Sequence, residues 1–98
     1  MRTVSDADLP DPSWVPSLPP DVRFRRTQGK LLVARQSESV ELEEVGAEIF
    51  TRIDGGTSVA AIAEAVGTEF DVDAETALAD VREFLAQLVD LGILARDR

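Results

Sequence analysis

From Val22 onward the spacing of the apolar residues changes once, near residue 43, and no other feature constrains the fold as strongly. Up to Leu42, apolar and polar residues tend to alternate, which is typical of half-buried strands. Beyond it, apolar residues return every three or four positions, as on one face of a helix. A chain of 98 residues has room for one domain with a small core. The sequence therefore predicts an α+β domain in which the strands precede the helices.

Three strands are predicted in the first half of this domain. They cover residues 22–27, 30–35 and 39–42. Gln28-Gly29 lies between the first two, and such a dipeptide favours a tight hairpin turn. Residues 36–38 form the second turn. Strands joined by such short turns pair as a three-stranded antiparallel meander.

Three helices are predicted to follow the strands. The apolar stripes of the first two are Val45, Ile49, Phe50 and Ile53, and then Val59, Ile62, Ala63 and Val66. Residues 54–56 (Asp-Gly-Gly) end the first helix, and Thr57 or Ser58 can cap the second, which closes at Phe70. The third begins near residues 73–76, where acidic residues suit the helix dipole, and Gly92 can end it with a left-handed cap. Together with the meander, this order predicts a winged-helix-like domain.

The third helix carries more apolar surface than one packing contact requires. One set of residues forms a narrow face suited to the core: Ala77, Val81, Phe84, Leu88 and Leu91. A second set lies about 80–120° around the helix, with Arg82 just beyond it: Leu78, Leu85 and Val89. Either both sets are buried in the core, or the second set forms the wall of a groove.

The third strand offers a partner for such a wall. As the last strand of a meander it leaves an edge open, and an extended peptide can pair its backbone with an open edge. Arg82 could bind acidic side chains of that peptide, although an ordinary surface ion pair is the alternative. The predicted peptide-binding residues are Ser39, Val40, Glu41 and Leu42 on the strand and Leu78, Arg82, Leu85 and Val89 on the helix.

Catalysis is not expected. The chain has no Cys and no His, which removes thiol and imidazole chemistry and the usual zinc ligands. Residues 54–56 follow a helix and not a strand, so they suit a helix stop better than a phosphate-binding loop. The acid pairs Glu43/Glu44 and Asp71/Asp73 lie where helix N-termini favour acids. We therefore predict no catalytic residues, no metal and no cofactor.

The net charge of −9 argues against binding to nucleic acid, which requires an excess of Lys and Arg. The basic residues that exist are concentrated in one short region: Arg23, Arg25, Arg26, Lys30 and Arg35. No apolar run is long enough for a membrane span, and the first residues do not resemble a signal peptide. We therefore predict a cytoplasmic protein without a membrane partner.

Residues 1–20 differ from the rest because they contain all five prolines. Proline removes backbone donors and restricts the residue before it, so neither a helix nor a central strand is expected there. We predict a flexible or extended arm over 1–20 and a folded domain over 21–98. Trp14, Val15 and Leu18 could dock on the domain or on a partner, or stay exposed.

Several local phrases occur in a recognisable order. They are Leu31-Leu32-Val33, Val40-Glu41-Leu42, Gly46-Ala47-Glu48-Ile49-Phe50, residues 54–59, residues 80–85, and Leu91-Gly92-Ile93-Leu94. This ordered set resembles the PqqD family, small chaperone-like proteins of pyrroloquinoline quinone biosynthesis, and the wider class of RiPP recognition elements. The chain departs from the family pattern at Glu43, often Asn, and at residues 36–38, often Pro-Glu-Gly.

The resemblance implies a peptide-binding chaperone. Such a domain binds the leader of a ribosomally synthesised precursor peptide between its third strand and third helix and presents it to an enzyme. In similar systems that enzyme is a radical S-adenosylmethionine (radical SAM) maturase or a leader peptidase. The alternatives are a winged-helix DNA-binding regulator and a structural subunit or inhibitor of a larger enzyme. An open edge strand also permits a homodimer.

Overall fold

A computed structural model describes residues 9–95 of the chain. The strands are β1 (Arg23–Thr27), β2 (Lys30–Arg35) and β3 (Glu38–Leu42). The helices are α1 (Glu44–Thr51), α2 (Val59–Phe70) and α3 (Ala74–Asp90). The predicted α+β architecture is confirmed, with three antiparallel strands followed by three helices. The term winged-helix describes it only loosely, because the whole sheet precedes the helices.

The sheet has the order β1-β2-β3, and both pairs are antiparallel. Two-residue turns join the strands, and Gln28, Gly29 and Gln36 have the positive φ values of 51°, 79° and 56° that tight hairpins use. Leu31 and Val33 of β2 are fully buried and face the helices. The alternate residues of β2, Lys30, Leu32 and Ala34, point to the opposite face of the sheet. No element within residues 9–95 buries that face.

The helix ends follow the predicted signals. Ser58 caps α2 by accepting the Ala61 N–H at 3.1 Å, and Asp73 caps α3 by accepting the Thr76 N–H at 3.1 Å. Gly92 has a φ of 82°, and its N–H donates to the Val89 carbonyl oxygen at 3.0 Å. This is the left-handed cap predicted from the sequence, and it returns the chain to the core.

The core lies between the sheet and the three helices. The predicted stripe of α2 is buried in full, and α1 contributes Ile49, Phe50 and the following Ile53. Phe50 also meets Phe24 of β1 edge to face, with ring centroids 5.3 Å apart. α2 and α3 approach closely at Gly67, where an added Cβ would lie 3.3 Å from the Cβ of Ala77.

Three residues of the predicted third helix differ from the predicted faces. Leu85, expected on the groove-forming set, has 0% of its surface exposed and belongs to the core with Ala77, Val81 and Leu88. Phe84 and Leu91 were expected in the core, but Phe84 is half-buried and Leu91 is exposed. The buried stripe is therefore rotated towards Leu85 by about one residue position, because α2 packs on that side of the helix and covers it.

The described part of the N-terminal arm packs on the domain. It has no helix or strand, as predicted, yet its carbonyl oxygens accept backbone N–H groups at the start of α2. Val59 donates to Trp14 at 2.8 Å, and Ala60 donates to Pro12 at 2.9 Å. Trp14 and Leu18 pack against the core, whereas Val15 is exposed. These acceptors satisfy N–H groups that have no partner within the helix.

Candidate functional site

β3 forms one edge of the described sheet, with β2 as its neighbour. Arg35 and Glu38 flank a two-residue turn, so this pair exchanges both of its backbone hydrogen bonds. The pattern repeats at every second residue. The backbone N–H and C=O groups of Val40 and Leu42 therefore point to β2, and those of Ser39 and Glu41 point away from the sheet. Ser39 and Glu41 are the residues whose backbone an added strand would bond.

The C-terminal part of α3 and the residues just after it contact the chain on both sides of β3. At one end, the ring of Phe84 lies against Gly46, four residues after β3, where an added Cβ would be 3.0 Å from the Phe84 Cε1 atom. At the other end, the Arg35 Nη1 atom donates to the Gly92 carbonyl oxygen at 2.9 Å. Gly46 belongs to α1 and Arg35 to β2, and both lie close to an end of β3 in the chain. From these two contacts we infer that the Phe84 flank of the helix faces β3.

Partly covered apolar side chains occur both on this flank of α3 and on β3. Phe84 and Leu91 lie on the same flank of α3, since seven residues correspond to nearly two helical turns. Leu91 is 38% exposed, a large value for a leucine. Val40 is half-buried and packs against the core from β3. β3 thus offers an open backbone edge, and the inferred facing flank of α3 offers partly covered apolar side chains.

The four helix residues predicted for the groove do not join β3 as a set. Leu78 lies beside α2, in a surface groove of about 660 Å³ that also includes Ala60, Glu64 and Thr68. Arg82 donates from Nε to the Pro10 carbonyl oxygen at 2.8 Å. Val89 is half-buried on the same flank as these two, and Leu85 is buried. This flank faces α2 and the arm.

Sequence reasoning missed Phe84 and Leu91 as lining residues. The helical periodicity found both, but it assigned them to the core. One partial signal was available in the sequence. Phe84 and Leu91 lie at one margin of the apolar stripe, and Leu78 and Val89 lie at the other, so either pair could be partly exposed. Periodicity alone cannot say which margin faces β3.

Three carboxyl groups of the described residues have lowered pKa values, and all three support local structure. The Arg35 guanidinium, with Nε 2.8 Å from Asp21 Oδ1, lowers the pKa of Asp21. The Gly56 backbone N–H lowers the pKa of Asp54, and the Thr76 backbone N–H lowers that of Asp73. Hydrogen bonds to the charged form are the cause in each case. These carboxylates therefore stabilise an ion pair, a turn and a helix cap.

The described residues offer neither a metal site nor a membrane-spanning helix. Residues 9–95 hold no group of three or more acidic side chains placed to bind a metal ion. Within the same range, no helix is long and apolar enough to cross a membrane.

Comparison with known proteins gives matches to one family. Residues 29–94 match the family model described as Coenzyme PQQ synthesis protein D (PqqD). A PqqA binding protein of Xanthomonas oryzae pv. oryzae (strain KACC10331 / KXO85) is 37% identical over 81 residues, which cover 81% of this chain and 88% of that protein. The PqqA binding protein of strain PXO99A is 36% identical over 73 residues, covering 74% and 79%.

Two solved structures share the fold. The PqqD truncation of Methylobacterium extorquens PqqCD, described as a functional and stand-alone RiPP recognition element, has a TM-score of 0.76 and 28% identity. The match covers 88% of this chain and 94% of that one. TbiB1 in complex with the TbiA(beta) leader peptide has a TM-score of 0.75 and 21% identity, covering 84% and 98%. At that identity the likeness to TbiB1 concerns the fold alone.

Proposed function

Because the chain belongs to the PqqD family, we propose that it binds the leader of a ribosomally synthesised precursor peptide as an added strand along β3. The curated relatives are PqqA binding proteins, and a relative with the same fold is a RiPP recognition element. These relatives support the function. The position and geometry of binding are proposed from this chain's own residues.

One observation carries the proposed geometry: the chain on both sides of β3, at Arg35 and Gly46, contacts Gly92 and Phe84 respectively. We infer from these contacts that the open edge of β3 faces the partly covered apolar residues of α3. A strand added there would bond to the outward backbone groups of Ser39 and Glu41. Its alternate side chains would face the helix, where Phe84 and Leu91 offer apolar contacts. Main-chain bonds would supply part of the affinity, and the few side chains in the cleft would supply specificity.

The proposed cleft uses the predicted residues of β3 but the other flank of α3. Ser39 and Glu41 contribute backbone groups, Val40 contributes a side chain, and Leu42 anchors the strand in the core. Leu78, Arg82, Leu85 and Val89 stay a sequence-based prediction that the proposed cleft does not include.

We propose further that the chain acts without catalysis, by presenting the leader to an enzyme. The sequence has neither Cys nor His, so the residues used most often as nucleophile or general base are absent. A radical SAM maturase or a leader peptidase is the proposed partner. The test is the rate at which that enzyme converts the precursor, with and without the purified chain.

A DNA-binding role is not favoured. α3 carries one basic residue, Arg82, and four acidic residues, whereas a recognition helix needs basic residues to reach phosphates.

Leader binding is tested by NMR titration of the isotope-labelled chain with the leader encoded by a neighbouring precursor-peptide gene. The largest amide shifts are expected at residues 39–42 and 84–91. Shifts confined to the middle of α1 would place the peptide elsewhere. Shifts centred on Leu78 and Arg82, with none at Glu41, would support the flank predicted from the sequence and contradict the proposed cleft.

A further inference from the structure

The arginines of β1 have no carboxylate partner among the described residues. Lys30, Arg35 and Arg52 each lie within 3.7 Å of an acidic oxygen, at 3.7, 2.8 and 2.6 Å. Arg23, Arg25 and Arg26 form no ion pair within residues 9–95, and all three are exposed. The chain has 19 acidic and 10 basic residues, so carboxylates are in excess. The arginines of β1 therefore lack a carboxylate partner within the described residues because the acidic residues lie elsewhere in the fold, and not because acidic residues are few.

The two halves of the domain differ in charge. Residues 54–95 contain nine acidic residues and one basic residue, Arg82. The sheet contains most of the remaining basic residues, and β1 alone has three in five positions. A basic strand on an otherwise acidic protein attracts acidic partners to that strand and repels them elsewhere.

The pairing register separates the three arginines by face. Arg23 lies opposite Ala34, and Arg25 lies opposite Leu32, on the face of the sheet turned away from the helices. Arg26 pairs with the buried Leu31 and therefore lies on the other face. Side chains two residues apart on a strand are about 7 Å apart, so Arg23 and Arg25 form a pair of neighbouring guanidinium groups.

An apolar floor accompanies this pair. Leu32 and Ala34 are half-buried between the arginines and β3. They line a shallow depression of about 350 Å³ with Arg23, Phe24 and Arg25. A surface with both guanidinium groups and apolar area suits a protein segment better than a phosphate backbone, which has no apolar group to cover Leu32.

We propose that the outer face of β1 and β2 is a docking surface for an extended acidic segment of a partner protein. The segment lies over the seam between β1 and β2, with its side chains directed alternately towards the two strands. Carboxylates at alternate positions, also about 7 Å apart, turn to β1 and bind Arg23 and Arg25, while the intervening aliphatic side chains turn to β2 and cover Leu32 and Ala34. The surface does not depend on leader binding. β3 lies two strands away from β1, about 10 Å, so both surfaces can be occupied together.

The test uses a capped peptide, acetyl-Glu-Val-Glu-Val-Glu-amide, titrated into the labelled full-length chain at 50 mM NaCl. Amide shifts are expected at residues 23–25 and 32–34, and the affinity should fall when NaCl is raised to 300 mM because the contacts are exposed. The neutral analogue, with Gln at each Glu position, should bind at least fivefold more weakly. Equal binding of the two peptides would overturn the proposal.

Two substitutions on one strand provide the matched comparison. Arg25→Gln should weaken the acidic peptide at least fivefold, whereas Arg26→Gln removes the same charge from the other face and should change the affinity less than twofold. Equal losses would mean general charge attraction and no docking face. Absence of any binding would mean that the arginines only protect an open edge from aggregation.

Other occupants give distinct results. Tighter binding of single-stranded oligo(dT) than of the acidic peptide, lost in Arg25→Gln, would assign the face to nucleic acid. Salt-sensitive self-association of the chain in sedimentation, lost in the same variant, would assign it to a second copy. Either result contradicts the proposal. Leader binding should be unchanged in Arg25→Gln, so failure at β1 and failure at β3 are observed separately.

Discussion

Replacing Glu41 by proline removes one outward-pointing backbone donor from β3 and leaves the ladder with β2 intact. The hairpin register directs the Glu41 N–H away from the sheet, where an added strand would accept it. Proline fixes φ near −65° and is tolerated on edge strands whose N–H faces solvent. Glu41→Pro should therefore fold normally and bind the leader more weakly.

The expected loss of affinity follows from one hydrogen bond. A typical backbone hydrogen bond contributes about 0.5–1.5 kcal/mol net, and an acceptor left without a partner costs about 1–3 kcal/mol. The peptide carbonyl opposite Glu41 remains partly hydrated, so a loss of about 1–2 kcal/mol is expected. This corresponds to a dissociation constant about 5- to 30-fold higher. Fluorescence anisotropy of a labelled leader peptide measures it directly.

Two variants control for other effects of the substitution. Glu41→Ala removes the side chain and its 3.7 Å ion pair with Lys30, an exposed contact that contributes little, and should bind as the wild type does. Val40→Pro removes an inward donor of the ladder, so its melting temperature should fall by at least about 4 °C. Wild-type affinity in Glu41→Pro would refute strand addition at β3.

Four other substitutions have distinct expected outcomes. Leu85→Ala should lower the free energy of unfolding by about 2–5 kcal/mol in urea titrations, because Leu85 is fully buried. Leu91→Ala should leave the free energy of unfolding nearly unchanged but weaken leader binding at least fivefold. Gly67→Ala should destabilise the domain despite a gain of about 1 kcal/mol in helix propensity, since its Cβ would lie 3.0 Å from the Val72 carbonyl oxygen. Asp73→Ala should lower the melting temperature at pH 7. Because the folded-state pKa of Asp73 is lowered, its stabilisation is present above its ordinary pKa of 3.8 and is lost as the pH falls through the lowered value. The melting temperatures of the two proteins should therefore converge as the pH is lowered below 3.8.

Local signals predicted nearly all of the secondary structure. Turn dipeptides fixed the hairpins, and Ser58, Asp73 and Gly92 marked helix ends, because caps and tight turns depend on neighbours in the chain. The same locality explains why the edge position of β3 was predicted, since a meander of short hairpins places its last strand at an edge. Periodicity also identified every apolar residue that lines the core or the cleft on α3.

The assignment of Leu85 and Phe84 to the two faces of α3 was wrong because a helical wheel is symmetric about its apolar stripe. Whether the Leu78 flank or the Leu91 flank faces β3 depends on how α2 and the arm pack. The spacing of apolar residues along α3 contains no information about either packing.

The sequence by itself determined the order of the elements, their ends and the open edge of β3, because each rests on interactions between residues close in the chain. The tertiary structure alone decided three further points. Arg82 is bonded to Pro10, 72 residues away. Glu41 and not Val40 directs its N–H away from β2, and the Phe84 flank of α3 lies against Gly46. These depend on the register of paired strands and on helix rotation within the core, which are fixed by contacts between distant residues.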